Sequence, residues 1–334
     1  MSLFPYMSLF MSSLFLGSIL SFSSNHWMFM WMGMELNLLS FIPLITFSSL
    51  NQETEAAMKY FMAQALGSGL LLLGAISLYS FPQMLFSSFI FNSIILISLF
   101  IKLGMPPYHF WFPSVMSMIS WPMCILLTTW QKLVPMFVIM YLYSPLINYL
   151  FLMVIILSSI IGGIGGINQT QLRPLLAYSS IGHMSWMLAA SMISYMASLI
   201  YLIMYILMSL ALMLMLWKNN FMTMMSFLNI SLLNNTMMLS LIIMIMSLGG
   251  IPPFLGFFSK WLVIQSLIMF SPFITFIIMM GSIINLFYYL NMIFIIFLKS
   301  PHFLKTKTIN STNPMWTIIA SLTLGLAPMT FLLI

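Results

Sequence analysis

Four charged side chains lie inside long apolar runs of this sequence: Glu35, Lys102, Lys132 and Lys260. Burial favours the neutral form of a lysine, whereas a nearby carboxylate favours its charged form. A buried lysine whose acidic partner moves or takes up a proton can therefore change its charge near physiological pH. These residue types predict proton transfer through the protein interior, and a static buried ion pair is the alternative that the pattern leaves open.

Prolines accompany three of these charges. Proline has no N–H and leaves the carbonyl four residues earlier in a helix without its usual donor. Pro106 and Pro107 release the carbonyls of Lys102 and Leu103 in this way. Pro135 releases the carbonyl of Gln131, and Pro252 and Pro253 release those of Leu248 and Gly249. Inside a bilayer such carbonyls need water or protein donors. The sequence therefore predicts hydrated helix interruptions close to buried lysines.

Two histidines and several amides and serines extend the candidate set. His183 lies eleven residues into an apolar segment and His109 follows the first proline pair. A histidine can relay protons, but a neutral, hydrogen-bonded histidine is an equally good interpretation for His183 and the favoured one for His109. The same two interpretations, a wet interior or hydrogen bonding between helices, apply to Asn37, Gln64, Gln131, Ser179, Ser180 and Asn285.

The elements that position these residues are membrane spans. Hydrophobic residues make up 62% of the 334 residues, charged residues make up 4%, and mean hydropathy is +1.12, which excludes an ordinary soluble domain. A span needs about 20 mainly apolar residues. The predicted spans are 3–22, 27–48, 56–80, 84–119, 121–143, 146–167, 172–193, 195–217, 237–270, 272–298 and 313–334.

The fourth and ninth spans are too long for one membrane crossing. At about 1.5 Å per residue, a continuous helix of about 35 residues exceeds 50 Å, so each must be broken, tilted or partly outside the bilayer. Gly104-Met-Pro-Pro in the fourth and Gly250-Ile-Pro-Pro in the ninth are 146 residues and five spans apart. An odd number of spans inverts the second copy, as in transporters built from inverted repeats.

The other eight charges are predicted at span ends or in loops on the side of the N-terminus: Glu53, Glu55, Lys59, Arg173, Lys218, Lys299, Lys305 and Lys307. The positive-inside tendency then places the N-terminus in the cytoplasm-equivalent compartment and the C-terminus opposite. The N-terminal run has no basic residue before Lys59, so we expect it to be retained as a span. The single cysteine, Cys124, excludes a disulfide framework and disfavours a metal site.

The chain resembles the subunit 2 family of proton-pumping NADH:ubiquinone oxidoreductase (respiratory complex I) in its animal, mitochondrially encoded form. The resemblance covers essentially the whole chain. It rests on the segments 31–40 (WMGMELNLLS), 59–61 (KYF), 102–111 (KLGMPPYHFW), 130–135 (WQKLVP), 176–181 (LAYSSI), 247–253 (SLGGIPP) and 258–261 (FSKW).

The resemblance implies an all-α, antiporter-like membrane subunit with about eleven transmembrane helices. Two inverted five-helix repeats with interrupted helices, 1–143 and 144–298, would precede a loop and C-terminal helix at 299–334. Glu35 would be the carboxylate partner, Lys102 and Lys260 the lysines of the interrupted helices and Lys132 the connecting lysine, with His183 on the hydrophilic axis between the repeats.

The resemblance also implies partners and a location. The subunit would lie in the mitochondrial inner membrane, with its N-terminus on the matrix side and its C-terminus in the intermembrane space. It would contact other membrane and accessory subunits of complex I and membrane lipids, and it would not bind nucleic acid. It would bind no cofactor, since NADH, FMN, iron-sulfur clusters and ubiquinone belong to other subunits. A stand-alone cation/proton antiporter is the alternative.

Overall fold

The computed structural model describes residues 4–48, 50–80, 85–144, 147–227 and 235–298. The helices in these ranges are α1 Phe4–Ser23, α2 Trp27–Ile45, α3 Asn51–Ser80, α4 Leu85–Leu103, α5 Trp111–Met118, α6 Trp121–Thr128, α7 Trp130–Leu142, α8 Asn148–Ile167, α9 Leu172–Ser191, α10 Tyr195–Lys218, α11 Asn235–Gly249, α12 Leu255–Phe270 and α13 Pro272–Leu298. The one β-type pairing in these ranges is an isolated bridge between Gln171 and Thr223. The all-α prediction is confirmed.

Several of these helices are long and apolar enough to cross a membrane. Seven described segments meet that criterion, and three shorter apolar helices lie in α4, α11 and α12. The helix α9 is not among them because it carries many polar residues, yet all but two of its twenty residues are buried. The first ten predicted spans therefore coincide with described helices, whereas the eleventh, 313–334, lies outside the described residues.

Both overlong spans are interrupted at their glycine and proline motifs, as expected. The fourth divides into α4 and α5 and the ninth into α11 and α12. A further interruption, which we did not predict, separates α6 from α7 at Thr129. Pro135 lies inside α7, and its missing N–H and ring clash disturb the hydrogen bonding of the preceding turn.

The chain forms two compact units, residues 1–154 and 155–334, and the division falls within α8. The predicted repeat boundaries at 143/144 and 298/299, and the inversion of the second repeat, stay predictions. In the first unit α1 crosses α2 at a point without room for side chains. A Cβ on Gly33 would lie 2.6 Å from the carbonyl oxygen of Gly17, so glycine is required at this crossing.

Interior packing in the second unit is organised around α9. This helix contacts α10, α12 and α13, and such all-round burial is typical of the central helix of a bundle. The side chains on α9 therefore face protein on nearly every side.

The charges predicted at span ends do not share one environment. Lys59 forms an ion pair with Glu55 at 2.6 Å, and their side chains are 39% and 56% exposed. Glu53 differs, because it is buried in the first turn of α3, where the helix dipole favours a negative charge. Three other cations of this group, Lys299, Lys305 and Lys307, lie outside the described residues.

Candidate functional site: two buried polar regions

The first interruption is a regular helix-ending motif followed by a proline turn. The N–H of Met105 donates to the carbonyl of Phe100 at 2.9 Å, and the N–H of Gly104 donates to that of Ile101 at 3.1 Å. This is the Schellman pattern, which needs a left-handed residue at its end, and Gly104 has φ +70°. The following Pro106–Pro107 peptide bond is cis.

Protein donors occupy the carbonyls of this break. The Gln64 amide Nε2 on α3 donates to the carbonyl of Lys102 at 3.0 Å, and the Trp111 indole Nε1 on α5 donates to that of Ile101 at 3.1 Å. We predicted that the Lys102 carbonyl would be released from the helix. A buried side chain of a neighbouring helix satisfies it.

The side chain of Lys102 is buried between α3 and α2. Its aliphatic part packs against Gly67, and its Nζ lies 4.0 Å from the Sδ of Met34. Glu35 is close enough to interact with Lys102 electrostatically, yet no ion pair within 4.0 Å joins these two described residues. The Oε2 atom of Glu35 is buried and makes no hydrogen bond within the described part of the chain. This spacing differs from a tight, static ion pair.

Lys132 lies on α7, one turn after the interruption at Thr129. Its side chain is buried, and its Nζ lies 4.8 Å from the ring centroid of Phe112 on α5. Such a cation–π contact favours the charged amine by roughly 0.5–2 kcal/mol. The charge of Lys132 is therefore supported by an aromatic face, and its backbone lies one turn before Pro135 in the same helix.

Lys102 and Lys132 line the same cavity of about 30 Å³. We name the polar side chains around it the polar chamber: Asn37, Tyr60, Gln64, Lys102, Gln131 and Lys132. A water needs roughly 10–15 Å³ of such space and two to four polar partners, so the chamber has room for about two. The buried atoms Asn37 Oδ1 and Gln131 Nε2 have no hydrogen-bond partner within the described chain. A water in the chamber could satisfy both.

The second interruption repeats the backbone of the first. The N–H groups of Gly250 and Ile251 donate to the carbonyls of Ser247 and Met246 at 3.2 and 3.4 Å, and Gly250 has φ +78°. The Pro252–Pro253 peptide bond is also cis. The two motifs that the sequence repeats therefore fold in the same way.

Lys260 completes the second interruption. Its buried Nζ donates at 2.9 Å to the carbonyl of Gly249, the carbonyl that Pro253 leaves without a helical donor. A cation at the carboxyl end of a helix is favoured by the helix dipole. A neutral amide thus caps the first break and a lysine caps the second, which explains why the two lysines occupy different positions relative to their prolines.

His183 belongs to a polar region of the second unit. Its Nδ1 lies 3.0 Å from the hydroxyl of Tyr201 on α10, and the two side chains are buried. Tyr201 and Tyr205 contact His183, Tyr289 interacts with both of them, and Tyr288 packs against Tyr289. We name these four buried tyrosines the tyrosine cluster: Tyr201, Tyr205, Tyr288 and Tyr289. The other predicted histidine, His109, is buried beside Phe110 at a ring-centroid distance of 4.2 Å.

The structure thus sorts the predicted residues into two groups. Glu35, Lys102 and Lys132 come together in the first unit, and His183 and Lys260 lie in the second. Their roles in proton transfer stay predictions. The sequence reasoning missed the tyrosine cluster; its signal was the spacing of Tyr201 and Tyr205, one turn apart on one face of α10.

Comparison with known proteins adds independent observations. Residues 24–287 match the family model described as NADH:quinone oxidoreductase/Mrp antiporter, TM. The chain is 39% identical over 330 residues to NADH-ubiquinone oxidoreductase chain 2 of Lumbricus terrestris, covering 97% of each chain. It is 40% identical over 328 residues to the chain of the same name from Anopheles gambiae, covering 95% of each.

The fold is also similar to solved structures. A chain of respiratory complex I from Thermus thermophilus with bound aureothin superimposes with a TM-score of 0.86 at 23% identity, over 98% of this chain and 78% of that chain. A chain of the Mrp complex from Dietzia superimposes with a TM-score of 0.80 at 16% identity, over 96% and 74%. At these identities the likeness shows the antiporter-like fold.

Proposed function

Because this chain belongs to the NADH-ubiquinone oxidoreductase chain 2 family, we propose that it is a membrane subunit of the mitochondrial proton-pumping oxidoreductase and carries protons through its interior. Glu35, Lys102 and Lys132 act in the first unit, and His183 and Lys260 act in the second. The single observation that supports this most is that two buried lysines share one cavity with room for water.

Proton transfer in the first unit runs between the two lysines of the polar chamber. Lys102 and Lys132 exchange a proton through water bound by Asn37 and Gln131, and Glu35 biases the charge of Lys102 from a distance. Moving a proton against 100 mV costs about 2.3 kcal/mol. A change of about two units in the proton affinity of a lysine supplies that amount, at about 1.4 kcal/mol per unit.

The energy for this transfer comes from electron transfer in other subunits of the complex. In this proposal the chain holds no redox cofactor; NADH, FMN, the iron-sulfur clusters and ubiquinone are bound elsewhere. Its exposed apolar helix faces contact lipids and neighbouring membrane subunits. The N-terminus faces the matrix, where the positive-inside tendency puts Arg173 and Lys218, and the C-terminus faces the intermembrane space.

A stand-alone antiporter is not favoured. The relatives that match along nearly the whole chain at 39–40% identity are chain 2 proteins, whereas the likeness to the Mrp complex is one of fold at 16% identity. An independent antiporter would exchange ions when purified and reconstituted alone. The proposed subunit co-purifies with a large membrane assembly.

The test is Lys132→Met in the assembled oxidoreductase, with Lys59→Met as the matched control on an exposed lysine. Protons translocated per NADH oxidised are measured in proteoliposomes, after assembly has been verified by mass. We expect Lys132→Met to lower this ratio and Lys59→Met to preserve it. An assembled Lys132→Met complex that pumps as well as its control removes Lys132 from the path.

A further inference from the structure

The second unit has no acidic side chain. The three acids of the chain are Glu35, Glu53 and Glu55, all in the first unit, and residues 155–334 contain none. A carboxylate cannot therefore pass a proton between His183 and Lys260 within this unit. The remaining proton-carrying groups are hydroxyls and water.

Resting on the proposed function, we propose that the tyrosine cluster conducts protons between His183 and Lys260, with the Tyr201 hydroxyl as the first relay and bound water as the connecting ligand. Tyr201 is 1% exposed and its hydroxyl lies 3.0 Å from the Nδ1 of His183. That is hydrogen-bonding distance for direct transfer between two heteroatoms.

The donors and acceptors around Tyr201 give this relay a direction. The Ser259 hydroxyl donates to the carbonyl of Gly256 at 3.0 Å, so its oxygen is left to accept. The Tyr201 hydroxyl also interacts with Ser259. In the proposed relay it donates its proton to Ser259 and accepts from His183, which then carries its proton on Nδ1. In this arrangement His183, Tyr201 and Ser259 link α9 through α10 to α12.

A single transfer balances as follows. A proton binds Nε2 of His183, the Nδ1–H bond breaks, and that proton forms a new O–H bond on Tyr201. The original phenolic proton passes to Ser259 Oγ, and the Ser259 hydroxyl turns from the carbonyl of Gly256 to give its own proton to water. One proton enters and one leaves, and Tyr201 and Ser259 end as neutral hydroxyls.

Tyr289 extends the cluster toward Lys260. The Tyr289 ring packs against Gly249, with its Cδ2 3.8 Å from the position of an added Cβ, and the carbonyl of this same glycine accepts the bond from Lys260 Nζ. Tyr289 also interacts electrostatically with Tyr201. The cluster therefore reaches from the His183 side to the residue that anchors Lys260.

Buried polar groups of α13 extend the tyrosine cluster. Asn285, Tyr288 and Tyr289 are at most 5% exposed, and the Oδ1 of Asn285 has no hydrogen-bond partner within the described chain. The hydroxyls of Tyr288 and Tyr289 interact with each other and with Ser179 on α9. An unsatisfied buried acceptor on the same helix as two linked hydroxyls suits an ordered water, which commonly satisfies such groups.

The test compares Tyr201→Phe and Tyr289→Phe with Tyr195→Phe, a change on α10 at a position that is 42% exposed. Protons per NADH oxidised and the coupled NADH oxidation rate are measured in the assembled complex. A lost proton-transfer group slows its step by about 10²- to 10⁴-fold, so we expect both cluster variants to fall well below the control in pumping. Pumping equal to the Tyr195→Phe control in both assembled variants overturns the proposal.

Two further variants keep the result decisive. Ser259→Ala removes the acceptor of the Tyr201 proton with little change in packing. If Tyr201→Phe does not assemble, Ser259→Ala tests the relay in its place. Normal pumping in Ser259→Ala then overturns the relay. Lys260→Met tests the proposed function itself. Lost pumping in Lys260→Met with normal pumping in the tyrosine variants rejects the cluster alone, whereas normal pumping in all of them rejects both.

Discussion

Replacing Gln64 by Met tests whether a side chain holds the first helix interruption together. The substitution keeps the length of the side chain but removes the Nε2 donor that lies 3.0 Å from the carbonyl of Lys102. Because Gln64 is buried, that carbonyl loses its protein donor. The expected cost is about 1–3 kcal/mol, which is roughly a 5- to 150-fold shift in the local opening equilibrium.

Hydrogen exchange reports this opening directly. The amide hydrogens of Gly104 and Met105 are bonded in the helix-ending motif, and local opening controls their exchange. In the assembled complex we expect them to exchange roughly 5- to 150-fold faster in Gln64→Met. Gln52→Met, an exposed change on the same helix, should exchange at the original rate. Unchanged exchange in Gln64→Met would refute the idea that Gln64 stabilises the break.

Two glycine substitutions follow from the same geometry. Gly33→Ala should abolish or strongly reduce assembly, because its Cβ would lie 2.6 Å from the backbone oxygen of Gly17. The control Gly69→Ala has open space around the new Cβ and should assemble normally. The yield of assembled complex measures both variants, and equal yields would contradict the close crossing of α1 and α2. Gly104→Ala should speed amide hydrogen exchange around the first helix interruption. A left-handed φ costs a non-glycine residue about 1–2 kcal/mol, and the new Cβ would lie 2.8 Å from the Cβ of Phe112. Hydrogen exchange at the rate of the Gly69→Ala control would contradict this.

The sequence was sufficient for the helices and for the two proline interruptions. Their signals are local: apolar length, and a glycine followed by two prolines at Gly104 and again at Gly250. Local signals also separated the charges that lie inside spans from those at span ends, although Glu53 proved to be buried. These features depend on hydropathy and backbone chemistry, which neighbouring residues determine.

What the sequence could not provide was the partner of each buried polar group. Gln64, and not water, donates to the carbonyl of Lys102, and Lys260 donates to the carbonyl of Gly249. Both contacts depend on which helices are neighbours. The tyrosine cluster has the same origin, since α10 and α13 bring residues more than 80 positions apart into one region. The break at Thr129 has no glycine or proline beside it, so local sequence patterns do not mark it.

The most direct measurement of the central claim is proton translocation by the double variant Glu35→Gln, Lys102→Met. If the buried charges move protons, the assembled complex carrying both substitutions translocates fewer protons per NADH oxidised than the original complex. If the two residues form a static pair, removing both charges together leaves turnover and pumping intact. That second result would contradict the account.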